Sequence, residues 1–153
     1  MIKVVKEIDG KLLSTTITPY SLEYPLNEWV YPKIGKIFVF DNIENAKLFV
    51  NPPFRNPRPS DKYLACYKVE VKNPVSLPYC AMPNIYIDLF WHNYEIGKES
   101  NAVYIAATPQ GTYICDAVKL IEKINDELMG HSEYHYLDRM FTDNLNHDRM
   151  GNK

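Results

Sequence analysis

The sequence predicts an α+β fold, a mostly antiparallel sheet with one or two helices packed on it. Three observations carry that expectation. Asp9-Gly10 stands between two β-rich runs, Ile2 to Ile8 and Lys11 to Thr18, and both turn residues accept the positive φ that a tight hairpin requires. Short strand-like segments then recur between turn residues along the chain. Finally, two segments, opening at Asp41 and Asp116, place apolar residues at helical spacing.

After the hairpin, residues 19–33 hold three prolines with Tyr24, Trp29 and Tyr31, and read as an extended connection with one edge strand around Glu28 to Tyr31. Lys36 to Phe40 is a buried strand, because Ile37 to Phe40 leave no polar face. Asp41 then opens a helix with Glu44 three residues on, the pattern of a capping box. Ile43, Ala46, Phe49 and Val50 form its apolar stripe, and Pro52-Pro53 ends it. On this reading Asp41 is the cap, and its loss costs about 1 kcal/mol.

The stretch NPPFRNPRPS, residues 51–60, is a loop with polyproline character. Tyr63 to Val71 alternates as a strand and Asn73-Pro74 turns. Asn84 to His92 and Ala102 to Ala107 are further strands, and Pro109-Gln110-Gly111 turns into a short strand at Tyr113 to Cys115. From Asp116, Ala117, Ile121, Ile124 and Leu128 share one helical face that stops at Gly130, with continued strand through residues 117–120 as the competing reading. The expected organisation is one α+β domain over residues 1–130 and a polar C-terminal tail over 131–153, partly helical around Tyr134, Leu137 and Met140.

Composition excludes more than it specifies. At 153 residues the chain is long enough for a core without staples, and 46% apolar with 24% charged residues is ordinary for a globular domain. Twelve tyrosines point to sheet or to an aromatic surface. A formal charge of -2 argues against a nucleic-acid partner, which calls for a basic excess. The first ten residues are too charged for a signal peptide, and no window has the length of a membrane span. Cys66, Cys80 and Cys115 form no CxxC pair and read as reduced residues of a cytoplasmic protein.

Candidate site residues are scattered. His131 and His135 stand at i, i+4 with Asp138 near the same face, a spacing that metal-binding helices use. The glutamate that follows the first histidine in zinc proteases is absent, so no metal or other cofactor is expected. Arg55 and Arg58, with Phe54 and Lys62, have the chemistry to clamp a phosphate or stack on a base. In Phe90-Trp91-His92-Asn93-Tyr94-Glu95, His92 and Glu95 are an acid/base pair without an evident nucleophile. His92 and Glu95 are therefore catalytic candidates, and a cysteine nucleophile at Cys66 or Cys115 needs a histidine brought up in space. Trp29, Tyr31, Trp91 and Tyr94, with the two arginines, are the candidate contacts for a ligand or protein partner, since aromatics and arginines dominate interface energetics. Glycine-rich phosphate loops and the Gly-x-Ser-x-Gly elbow are absent.

The residues Glu28-Trp29-Val30, Pro32, Gly35 to Asp41, Glu44-Asn45-Ala46-Lys47 and Phe49 are similar to a pattern of small uncharacterised phage and bacterial proteins. Tyr67 to Val71 and Pro109 to Thr112 extend the resemblance over about the first three quarters of the chain. It implies a phage-encoded accessory protein in the host cytoplasm that acts by binding a host protein or small ligand, counter-defence included. A weaker resemblance, through Ser14-Thr15-Thr16 and the aromatic strand followed by a helix, is to the ADP-ribosyltransferase-like fold. The first strand here carries no Arg or His, and no Glu-x-Glu occurs, so that resemblance implies shape rather than transfer chemistry. A nucleotide- or NAD-handling enzyme of that shape, with Ser14 or Thr15 added by the resemblance to the catalytic candidates His92 and Glu95, and a self-assembling structural protein remain the alternatives to a binding protein.

Overall fold

The computed structural model describes residues 1–15, 19–53, 56, 58–81, 87–95 and 105–124. Arg55, Phe54, the histidines at 131 and 135 and the whole tail lie outside the described residues. The hairpin forms as the sequence predicts: β1 (Ile2–Ile8) and β2 (Lys11–Leu13) pair antiparallel around Asp9 and Gly10, whose φ values are 52° and 76°. The chain then crosses one face of the sheet. Leu13 bridges to Glu23, and the Tyr24 amide donates to the Leu12 carbonyl at 2.8 Å. Two residues, Trp29–Val30, form the edge strand β3.

The strand and helix next in line are β4 (Ile37–Phe40) and α1 (Ile43–Val50). Asp41 is not the helix cap. Asn42 takes that position, extended at φ -148°, and its Oδ1 accepts from the Asn45 amide at 2.9 Å. Asn and Asp cap about equally well, so the residue next to the helix wins on register alone. Asp41 does a different job: its Oδ1 accepts from the Asn45 side-chain amide at 2.8 Å, and its backbone amide donates to the Gly111 carbonyl. Gly111 sits at φ +79°, and a Cβ there would collide with both Asp41 and Asn45. Substituting Asn42→Ala is accordingly expected to lower stability by about 1 kcal/mol in urea unfolding, as lost caps do. An Asn42→Ala protein as stable as the parent would reject that assignment.

A 3₁₀ turn (Pro59–Tyr63) leads into β5 (Leu64–Lys72), and β6 (Val75–Ser76) and β7 (Tyr79–Ala81) follow. The expected strand at 84–92 is instead helix α2 (Ile87–Glu95). Its aromatic, β-prone composition suggests a strand, but Ile87, Phe90, Trp91 and Tyr94 stand at i, i+3, i+4 and i+7. All four join the cluster with Leu77 and Ile114, so the period of the apolar residues overrides propensity. After β8 (Ile105–Ala107) and β9 (Thr112–Cys115) comes a second correction. The segment opening at Asp116 is not a helix but β10 (Ala117–Lys123). It pairs with β5 through Val118↔Val71 and Leu120↔Val69 and buries Ala117, Val118 and Leu120 completely. The free edge of a nine-residue strand supplies more ladder bonds and apolar contact than an isolated helical face would.

The main sheet has eight strands in the order β3-β10-β5-β1-β4-β9-β6, with β2 beside β1. Every named pairing is antiparallel, and β7 and β8 form a separate ribbon. Both helices pack on one face. Ala46 and Val50 of α1 meet Ile2, Val4, Phe40 and Cys66, while Phe90 and Trp91 of α2 meet Ile114 and Phe38. The opposite face carries Val5, Ile37, Val39, Tyr67, Cys115, Val118 and Leu120, and is covered by the crossing segment through Tyr24 and Leu22. Among the described residues no helix is long and apolar enough to cross a membrane.

Candidate ligand cavity

One irregularity in the sheet positions the site. β1 uses the same edge for two partners: β2 along Lys6 to Ile8 and β4 only at Ile2↔Phe40. Between those pairings the strands diverge, and the sheet opens into a fork. A cavity of about 320 Å³ occupies it. Its walls come from Lys3 and Val4 of β1, Lys36 with residues 37–40 of β4, and Ser14, Thr15, Tyr20, Leu22 and Tyr24 of the crossing segment. Phe49 of α1 and Ile87 of α2 reach it from the helical side, so the space is lined from both faces of the sheet. Consecutive residues of β4 line it because its unpaired backbone edge, as well as its side chains, faces the fork.

The rim is held by specific bonds. The Ser14 amide donates to the Leu22 carbonyl, and the Leu22 amide donates to Ser14 Oγ at 2.9 Å. Tyr20 hydrogen-bonds Asp88 in the first turn of α2, which ties the crossing segment to the helix; that bond, followed by burial, raises the phenol's pKa. Thr108 Oγ1 donates to the Leu77 carbonyl and Thr112 Oγ1 to the Pro109 carbonyl.

Charge in the cavity is one-sided. Among the described residues Lys3, Lys33 and Lys36 line it and no aspartate or glutamate does, in a chain whose formal charge is -2. The Lys36 ammonium pairs with Asp116; their shared bond raises the lysine's pKa and lowers the carboxylate's, which also accepts from Asn73. Lys33 donates to the Ser21 carbonyl at the exposed rim. Lys3 is different: only 9% exposed, it donates from Nζ to the Phe38 carbonyl at 2.7 Å and stands 5.4 Å from the centroid of the Tyr24 ring. Sequence reasoning missed this residue. A signal was present, because Lys3 shares a strand face with Val5 inside the run Ile2 to Val5, where an inward cation needs a reason.

The sequence-predicted candidates do not converge. Ser14 reaches the cavity, but its hydroxyl is engaged by Leu22. His92 and Glu95 are exposed on α2 and are not among the lining residues. Cysteine chemistry fares no better: Cys66 and Cys115 are fully buried, and desolvation pushes the Cys115 thiol up to about 11, away from the reactive thiolate. Trp91 is a core residue at 2% exposure rather than a surface contact, because the helical period of α2 turns it inward, and Tyr94 is half-buried beside it. Arg58 is exposed, with its backbone amide on Asp61 Oδ2.

Trp29 and Tyr31 are at the surface as expected, 36% and 57% exposed on the β3 edge. Their rings are already in use: Lys72 Nζ lies 4.5 Å from the Trp29 centroid and bonds the Tyr31 hydroxyl, and Lys119 Nζ lies 5.1 Å from Trp29. Away from both regions, burial works to raise the Glu7 pKa, but hydrogen bonds from Tyr67 and Lys123 outweigh it and lower it. Burial and the same bond to Glu7 raise Tyr67. That trio is an electrostatic staple across the sheet. No group of three His, Cys, Asp or Glu side chains among the described residues is arranged to hold a metal ion. No protein-family model, curated protein or solved structure matches the chain.

Proposed function

We propose that the chain works by binding a small, largely apolar ligand in the cavity at the β1/β4 fork. The observation that carries this reading is the fork itself. The sheet opens there around about 320 Å³ lined by Leu22, Tyr24, Ile34, Phe38, Phe49 and Ile87, within the size range of small-molecule sites. A binding role fits this chemistry better than catalysis, because the walls, among the described residues, offer no pairing of a nucleophile with a base. It also has more support than a protein contact on the β3 edge, where lysines of the same chain already cover the aromatic faces.

The test is uptake of N-phenyl-1-naphthylamine, a neutral fluorescent probe, by the full chain. Saturable fluorescence enhancement is expected, and Ile87→Trp, which fills the cavity from α2, is expected to abolish it while the far-UV spectrum is retained. At 100 times its dissociation constant, a ligand adds about 2.7 kcal/mol of stability, which a thermal shift detects. Failure of the parent protein to take up the probe, or unchanged uptake by a folded Ile87→Trp protein, would sink the reading.

A further inference from the structure

Building on the cavity as a ligand site, we propose that its ligand is an amphipathic anion, a carboxylate or phosphate head on an apolar body, with the Lys3 ammonium as the head-group contact. The first support is geometric. Lys3 lines the cavity, and its Nζ lies beside two other lining residues, 2.7 Å from the Phe38 carbonyl and 5.4 Å from the centroid of the Tyr24 ring. An ammonium has three donors, and the carbonyl takes one of them.

The second support is charge. None of the ion pairs among the described residues involves Lys3, whereas Lys36 has Asp116, Lys68 has Glu122, Lys119 has Glu70 and Lys123 has Glu7. A nine-tenths buried cation with no carboxylate beside it is costly unless something supplies the negative charge. Among the described residues the cavity supplies none, since no aspartate or glutamate of theirs lines it. A neutral ligand would leave that charge unanswered. An anionic head, seated toward Lys3 with its apolar body against Leu22, Ile34 and Phe49, would answer it with a charge-assisted hydrogen bond.

The alternative is that Lys3 only plugs the open edge of β4 by capping the Phe38 carbonyl. Competition against bound N-phenyl-1-naphthylamine separates the two, using nonanoate, octyl phosphate and 1-octanol, which share one octyl chain and differ in the head. On the proposal, at least one of the two anions displaces the probe at a concentration about tenfold or more below that of octanol, as charged hydrogen bonds allow. Which anion competes better assigns the head group as carboxylate or phosphate.

Lys3→Met should bring the anion-to-alcohol ratio to about one, a ratio that does not depend on the probe's own affinity, and Lys3→Arg should restore the preference. Equal potency of octanol and both anions on the parent protein would overturn the proposal, and that arm needs no variant to fold. So would an anion preference that survives Lys3→Met. Loss of probe binding by the parent protein would instead remove the cavity reading on which this one stands.

Discussion

Replacing Trp91 with alanine is expected to destabilise the protein by about 3–5 kcal/mol, the range for truncating a buried large aromatic. The ring is 2% exposed and sits among three others, with centroids 5.0 Å from Phe90, 5.5 Å from Tyr94 and 5.8 Å from Phe38. The contacts to Phe90 and Tyr94 are edge-on, an arrangement that adds attraction beyond the area buried. Alanine leaves a void that Leu77 and Ile114, anchored on the sheet side of the cluster, can close only partly. Urea denaturation measures it: the midpoint should fall sharply with little change in slope. The same truncation at Trp29, half out in solvent over two lysine stems, should cost far less. A Trp91→Ala protein within about 1 kcal/mol of the parent would mean the residue faces solvent after all.

That residue also marks where the sequence stopped being informative. The hairpin at Asp9-Gly10, the strand before Asp41, the strand opening near Tyr63 and the turn ending at Gly111 were legible, because each is set by local chemistry: φ-tolerant turn residues, a run without a polar face, a β-branched alternation. In residues 87–95 two local signals disagree, since the composition favours a strand and the spacing favours a helix. Packing on Phe38 and Ile114 decides for the spacing. In residues 117–123 the local signals were again divided, and a non-local partner, the free edge of β5, decided. The cap moved by one residue because Asp41 and Asn42 are chemically interchangeable there, and only the register of α1 tells them apart. The cavity had no sequence signature at all. It exists because β1 shares one edge between β2 and β4, which are far apart in sequence. The chemistry inside it was half visible: a lysine within the apolar run Ile2 to Val5 was readable, but the lack of an ion-pair partner for it among the described residues was not.

Gly35→Ala is the second substitution expected to be severe, and it acts on the same contact from the other side. Two independent costs arise there. Gly35 holds φ +57°, in the left-handed region that an alanine occupies at a penalty of about 1–2 kcal/mol. A Cβ would also be driven into the Trp91 ring at Cδ2, Cε2 and Cγ, the body of the indole rather than a flexible tip. The ring has little room to retreat, since Phe90, Tyr94 and Phe38 hold it from other directions, so overpacking adds about 1–3 kcal/mol. A double-mutant cycle separates the two. In Gly35→Ala/Trp91→Ala the collision disappears and only the backbone cost remains, so the combined loss should fall short of the sum by about 1–3 kcal/mol. Strict additivity would show that the indole does not lie on Gly35. The glycine then serves only as a bend before β4, and the entry of the chain into the fork is fixed by backbone conformation alone. A deficit of the expected size shows that the Gly35–Trp91 contact, beside that of Phe38 with the same ring, couples α2 to the chain entering the strand that lines the cavity.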